Sequence, residues 1–318
     1  MQRASVRAVT HADRPYLGAL LMVAFCLIVP LADAIAKMLG PTVTLLTLLM
    51  ARFALQWLIL LPLARLGGKV LRVPRELLGL IVLRTLLHMA GTGLMFISLR
   101  FLPLAETIAI AFVMPLLLLL LGHWVLGEQV GRRRMLACVV GFLGTLLVVQ
   151  PSFANVGAPA MLPLLVALTF AGFILATRPI AQRVDPITLQ AVSGLIGSAL
   201  LLPVWLLGAA MDWPDFELVQ PNGEEMLLLV AIGLLGTGGH LLMTWSLRFA
   251  PSASLAPIQY LEIPVAAAVG WLIFGDIPDR LAVLGIVITI AAGLFVLMAE
   301  RRDERTRQRD AAQPGDQR

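Results

Sequence analysis

Eight ionisable side chains stand inside or at the edges of strongly apolar stretches of this 318-residue chain: Asp33, Lys37, Arg52, Arg84, His88, Glu106, His240 and Glu262. A charge at mid-bilayer costs at least about 2.5–3.5 kcal/mol, so each of them marks a candidate solute, ion or proton site. Glu262 carries the sharpest signal, because it lies in PIQYLEIPV between Pro257 and Pro264. Those prolines remove backbone donors and disturb a helix, and the carbonyls they free are tolerated at depth only beside protein or a water-filled cavity. A carboxylate next to broken helix suits a cation or a proton; pairing with Arg52 is the structural alternative. Pro115, in FVMPLLL, repeats the kink one residue out of register with Pro264 and without the carboxylate.

The remaining charged groups each leave two roles open. Arg52, in LMARFALQW, presents a fork of donors to an anionic solute, or locks a helix pair by meeting Asp33, Glu106 or Glu262. Arg84 and His88 are spaced i, i+4 on one helix face, and Arg84 is close enough to the start of its stretch to snorkel to the interface, which is the favoured reading. Asp33 and Lys37, again i, i+4, form either an exposed ion pair of little value or a gate contact that breaks as a cavity opens. Glu106, beside Pro103, is a gate candidate or a helix-start carboxylate favoured by the dipole. His240, in GTGGHLLM, is a packed residue more readily than a proton relay. Trp57, Trp245, Tyr260, Gln56, Gln190 and Gln259 add planar or polar-tipped groups suited to lining a small-molecule site, although they cannot all face one cavity.

The same residues exclude other chemistries. There is no G-x-S-x-G, no H-E-x-x-H and no P-loop, and His11, His88, His123 and His240 are scattered along the chain. Neither an enzyme, nor a metal site, nor a cofactor is expected. Cys26 and Cys138 lie in apolar runs and read as small core residues.

The elements that must hold these groups are membrane spans. Hydrophobic residues make up 59% of the chain and charged ones 14%, with a mean hydropathy of +0.91, whereas soluble domains carry about 25% charged residues. A bilayer-crossing helix needs roughly 20 apolar residues. Ten such stretches occur, at 17–36, 43–63, 77–99, 104–126, 134–150, 160–180, 187–209, 226–247, 252–274 and 281–299. The first follows a short basic segment and continues past Pro30, so it reads as a retained span rather than a cleaved signal. With the N-terminus cytoplasmic, 19 of the 24 Lys and Arg fall on the inner side, Lys37, Arg100 and Arg280 outside, and Arg52 and Arg84 within spans. Both termini are therefore expected inside, in a bacterial-type inner (plasma) membrane. The basic residues lie in short loops and in the tail, not interleaved with aromatics on one face, so nucleic acid is not an expected partner. The expected partners are a small-molecule solute and the lipid bilayer, with monomer and homodimer both open.

A stretch occurs twice. SLRFLP at 98–103 returns as SLRFAP at 246–251, an offset of 148 that also carries Gly122 onto Gly270, Gly127 onto Gly275 and Glu128 onto Asp276. The expected organisation is a cytoplasmic segment 1–16, a five-span repeat at 17–150, a second at 151–299 and a basic, disordered tail at 300–318. Five spans is an odd number, so the second repeat enters the membrane in the opposite sense. The fold class is thus an all-α integral membrane protein of ten transmembrane helices in two inverted five-helix repeats.

The phrase SLRFLPLAETIAIAFVMPLLLLLLGHWVLGEQVGRRRMLACVVGFLGTLLVV, with its second copy ending LIFGDIPDRLAVLGIVITIAAGLFVLM, resembles paired EamA domains of the drug/metabolite transporter superfamily over nearly the whole chain. The Gly127-Glu128 corner matches the family's usual form and Gly275-Asp276 is a conservative variant; the resemblance implies that both cap helices and do not touch solute. LADAIAKMLG and MARFALQ are similar to the pattern of a branch containing S-adenosylmethionine and riboflavin uptake carriers. Other members export amino acids and related metabolites. The resemblance implies a secondary transporter of a small polar or amphiphilic metabolite, working by alternating access through a central cavity. If transport is proton-coupled, Glu262 is the first-choice carrier. A passive channel or flippase subunit and an intramembrane enzyme are the alternatives from other classes.

Overall fold

The computed structural model describes residues 14–68, 73–127, 131–148, 157–211 and 217–275, together with scattered residues between 280 and 305. Within them all regular structure is helical: α1 (Pro15–Leu39), α2 (Leu45–Leu66), α3 (Arg75–Phe101), α4 (Leu104–Ala111), α5 (Met114–Leu126), α6 (Arg132–Val148), α7 (Leu162–Ala181), α8 (Pro186–Ala210), α9 (Gly223–Phe249), α10 (Ser252–Gln259) and α11 (Glu262–Phe274). Among the described residues, eight helical segments are long and apolar enough to cross a membrane, and two shorter apolar helices lie at Met135–Gly144 and Val283–Ala292. The circumference is greasy: Leu27, Leu58, Leu83, Leu234 and Leu272 are all exposed. In water such a belt would associate, whereas in lipid it is solvated.

The helix starts follow their capping residues. Thr44 caps α2 by accepting from the Thr47 amide, and Asp185 caps α8 by accepting from Ile187 and Thr188. Asn222 and Glu225 form a capping box at the head of α9, which satisfies two amides that a bare helix end leaves orphaned. Replacing Asn222 by Ala should remove about 1 kcal/mol of stability. The expected reading is a fall of a few degrees in the melting temperature of the detergent-solubilised protein, with transport retained.

The spans expected at 104–126 and 252–274 are each broken in two. The helix stops at Phe112–Val113 in the first and at Tyr260–Leu261 in the second. A proline ring collides with the carbonyl four residues before it, and counting four back from Pro115 and Pro264 reaches Ala111 and Tyr260, the two edges of the breaks. Although the prolines differ in register by one residue, the breaks do not. α3, α4 and α5 begin at Arg75, Leu104 and Met114, and α9, α10 and α11 begin 148 residues later at Gly223, Ser252 and Glu262. Gly127 and Gly275 end α5 and α11 in the left-handed region, at φ 64° and 74°, where a side chain would be strained. Their partners in the expected corners, Glu128 and Asp276, lie outside the described residues, as do Arg3, Arg7, Lys69, Arg72 and, apart from helical Arg302 and Arg305, the tail.

Hydrogen bonds between helix ends fix the directions. The Arg14 amide donates to the Phe249 carbonyl and the Ser246 hydroxyl to that of Gly18, so the start of α1 meets the end of α9. Glu76, at the start of α3, meets Arg183 just beyond α7 at 3.4 Å. Thr44 and Thr47, at the start of α2, bond Glu217 and Val219 ahead of α9. α7 therefore runs against α3, and so against α1. The most extensive packing pairs are α1 with α9, α2 with α8 and α3 with α7. Exchanging α1, α2, α3 for α7, α8, α9 returns the same three pairs, which is the signature of a twofold relation passing between α2 and α8.

Candidate functional site

A cavity lies between α1, α3, α4, α7, α9 and the α10–α11 break. Its wall uses Val29–Asp33 of α1, Thr92–Phe96 of α3 and Val166–Phe170 of α7. These segments belong to the half of the bundle that holds the end of α1, the start of α2 and the start of α9. Arg52 and His240, here its floor, also line it, and Met243 carries the lining almost a turn past His240.

Arg52 is 2% exposed and every bond it makes is to a neutral acceptor. Its Nη1 donates to Gln56 Oε1 at 2.9 Å, while Nη2 donates to the Gly236 carbonyl at 2.6 Å and to His240 Nδ1 at 2.9 Å. His240 Nδ1 also lies 3.0 Å from the Gly236 carbonyl; the guanidinium can only donate and the carbonyl can only accept, so the ring's tautomer decides which of the two bonds Nδ1 makes. The network continues sideways: Gln56 Nε2 reaches the carbonyl and Oε1 of Gln190, and Gln190 Nε2 reaches Thr244 Oγ1 and the His240 carbonyl. Gln56 and Gln190 thus tie α2 and α8 together and do not line the cavity. Gly236 is required here by proximity, because a Cβ on it would lie 2.1 Å from Arg52 Nε.

Asp33 and Glu262 line the same cavity and are 8% and 7% exposed. Neither accepts a hydrogen bond or enters an ion pair among the described residues. They are close enough to feel one another's charge, and Asp33 feels that of Arg52. Glu262 opens α11 immediately after the break. Gln259, at the other lip, is fully buried with both amide atoms unpartnered. The Cys26 Sγ lies 3.8 Å from Ile258 O, which also accepts from the Leu261 amide, and 3.9 Å from Gln259 O. Cys26 is therefore more than filler: it is a weak donor placed against broken helix.

Beyond the floor, towards the end that holds the starts of α1, α3 and α8, the bundle is filled by rings and cations in a column. The His88 ring lies 4.2 Å from that of His240 and stacks on Phe173 at 4.6 Å. The Arg84 guanidinium covers the other part of the Phe173 ring at 4.6 Å. Arg84 does not snorkel as expected. It is fully buried, with Nε on Thr177 Oγ1 at 2.8 Å and Nη1 on Ser193 Oγ at 2.7 Å, because two hydroxyls of α7 and α8 stand within its reach. Both His88 nitrogens, His240 Nε2 and Arg84 Nη2 are buried without a partner among the described residues.

Of the residues singled out in the sequence, then, Asp33, Arg52, His240 and Glu262 meet at one cavity, and Arg84 and His88 extend from its floor. Tyr260 is fully buried against Gly141 and Phe112 and does not line the cavity. Trp57 packs against Gly194 of α8, and Trp245 joins Leu60, Ala191 and Leu241. Lys37 donates to the Leu102 carbonyl at 3.2 Å and lies 5.0 Å from the Phe274 ring centroid; Glu106 sits in the first turn of α4. The apolar wall of the cavity, with Phe25, Phe96, Phe112 and Phe170, had no sequence signal, because a phenylalanine facing a cavity is indistinguishable by type from one facing lipid.

The model of a family described as EamA-like transporter family matches residues 16–150 and again 158–298. Among curated proteins, the chain is 26% identical over 271 residues to an S-adenosylmethionine uptake transporter of Rickettsia prowazekii, covering 85% of this chain and 88% of that one. It is 29% identical over 224 residues to a riboflavin transporter of Rhizobium johnstonii, covering 70% and 71%. It is 26% identical over 276 residues to the pseudopaline exporter CntI of Pseudomonas aeruginosa, covering 86% and 94%. A solved crystal structure superposes with a TM-score of 0.70 at 19% identity, covering 90% of this chain and 98% of that one, and is alike in fold.

Proposed function

The chain belongs to the EamA-like transporter family, and from that premise we propose that the cavity above Arg52 and His240 is the solute site of a secondary carrier working by alternating access. It is a multi-pass membrane protein and a transporter of small metabolites; its family and relatives are named as transporters, not enzymes. The observation that carries the reading is the cavity lined by Asp33, Arg52, His240 and Glu262, backed by the hydrogen-bonded layer that joins Arg52 and His240 to Gln56 and Gln190. A carrier needs a barrier of this kind on each side in turn, and two inverted halves supply two states of equal architecture.

The proposal extends to the whole chain. Ten spans form two five-helix repeats at 17–150 and 151–299, with both termini cytoplasmic and the protein in the bacterial inner membrane; the basic residues of the short loops support this orientation. With that orientation the cavity lies in the outer half. The solute belongs to the small polar or amphiphilic metabolites that the uptake relatives are named for, and Glu262 carries the proton if transport is coupled to one. Export is the second reading, favoured by the likeness to the pseudopaline exporter.

The test is an untargeted comparison of metabolite pools, in cells and in medium, between strains overproducing the wild type and Glu262→Gln. A compound shifted inward or outward by the wild type alone gives solute and direction together. No shift for any compound in a host that makes or is fed these metabolites would count against the carrier reading.

A further inference from the structure

The two repeats have diverged where they meet the cavity, and the divergence separates polar from apolar. Positions 148 apart flank the two helix breaks: Ala111 and Met114 in the first repeat correspond to Gln259 and Glu262 in the second. All four line the cavity. The second-repeat lip therefore offers an amide and a carboxylate, the first-repeat lip a methyl and a thioether. Asp33 of α1 joins the polar side of the same cavity, while Ile108, Phe112 and Phe170 continue the apolar side.

The charges do not balance inside this space. Both carboxylates lack a hydrogen-bond or ion-pair partner among the described residues, whereas the guanidinium lining the same cavity has both its terminal nitrogens committed to Gln56, Gly236 and His240. Gln259, fully buried with both amide atoms unpartnered, adds an unused donor and acceptor on the carboxylate side. A bound cation would supply the counter-charge that the protein withholds, where a buried carboxylate without one is left to take up a proton. The phenylalanine rings favour the same ligand, since a ring face attracts a cation and a flat apolar body equally well.

Resting on the carrier reading above, we propose that the cavity selects an organic cation, or a zwitterion with an exposed cationic centre, joined to a flat apolar body. The cationic centre seats between Glu262 and Asp33 beside Gln259, and the body lies against Phe112, Met114 and Phe170. A neutral ring system fills the apolar wall but leaves both carboxylates unmatched, and an anion is repelled by them.

The test uses the full chain purified in detergent and a pair of probes that differ by one methyl group and one positive charge. These are S-adenosylmethionine, a sulfonium, and S-adenosylhomocysteine, its thioether; riboflavin serves as the neutral flat probe. The sulfonium is expected to bind at least about tenfold more tightly than the thioether, and Glu262→Gln should erase the difference. Asp33→Asn is the second variant and should narrow it; the probe comparison on the wild type needs no variant at all. Equal binding of sulfonium and thioether, preference for riboflavin, or no binding of the sulfonium overturns the proposal. Failure here is separable from failure of the carrier reading: a neutral or anionic compound moved by the wild type in the metabolite comparison would reject the cation site and leave transport standing.

Discussion

Glu262→Gln is expected to reach the membrane in near wild-type amount, to melt at or slightly above the wild-type temperature, and to lose concentrative transport. The stability part follows from what Glu262 does not do. It accepts no hydrogen bond and enters no ion pair among the described residues, so the isosteric amide breaks nothing, and an unpaired carboxylate taken out of water is a liability that the amide reduces. The transport part follows from where it stands: at the head of α11, on the lip of a broken helix, facing the cavity. A carrier builds a gradient only by coupling the solute to a second species, and a group that binds that species differently in the two states must provide the link. With Gln at 262 the charge is gone from both states, and solute should at most equilibrate. Accumulation ratios measured in cells or proteoliposomes would fall to about one, while exchange of labelled for unlabelled solute could persist. Wild-type accumulation in a well-expressed Glu262→Gln protein removes Glu262 from the mechanism.

Much of this site was legible before any coordinate. Spans, the 148-residue offset and the charged groups at depth are all written in residue type and spacing, and Asp33, Arg52, His240 and Glu262 do converge on one cavity. What was not legible depended on direction around a helix axis. Tyr260 is two residues from Glu262, a rotation of about 200° on a regular helix, and the break between them does not bring the phenol to the cavity; it packs on Gly141. Arg84 looked near enough to the interface to reach it, yet Thr177 and Ser193 hold it inside, and no pattern within α3 could announce hydroxyls on α7 and α8. The partners of Arg52 depend on direction for a related reason. A buried guanidinium suggests a carboxylate, but its four-residue neighbour Gln56, a carbonyl opposite a glycine and a histidine nitrogen satisfy it without one. That choice leaves Asp33 and Glu262 free for other work.

The second large effect is expected at Arg52. Replacing it by Ala strands Gln56 Oε1 and leaves the Gly236 carbonyl and His240 Nδ1, 3.0 Å apart, to one another. A buried acceptor left without its donor costs roughly 1–3 kcal/mol, so the loss should be of that order and appear as a lower melting temperature or as aggregation on extraction. Arg52→Lys keeps the charge but offers a point donor in place of a planar fork; it can satisfy fewer of the three and should fall between. Neither substitution alone separates the loss of charge from the loss of position. Gly236→Ala does, because it keeps the guanidinium and displaces it: the new Cβ would sit 2.1 Å from Nε and 2.6 Å from Cζ, and the group is tied on both sides and has no loose end to swing away. If the floor works through geometry, Gly236→Ala should impair transport nearly as much as Arg52→Lys while the total charge of the protein is untouched. A Gly236→Ala protein with wild-type flux, or an Arg52→Ala protein that melts with the wild type, would mean that the hydrogen-bonded layer beneath the cavity is not the barrier, and the closed half of the bundle would then have to be sought further along the column, at His88, Phe173 and Arg84.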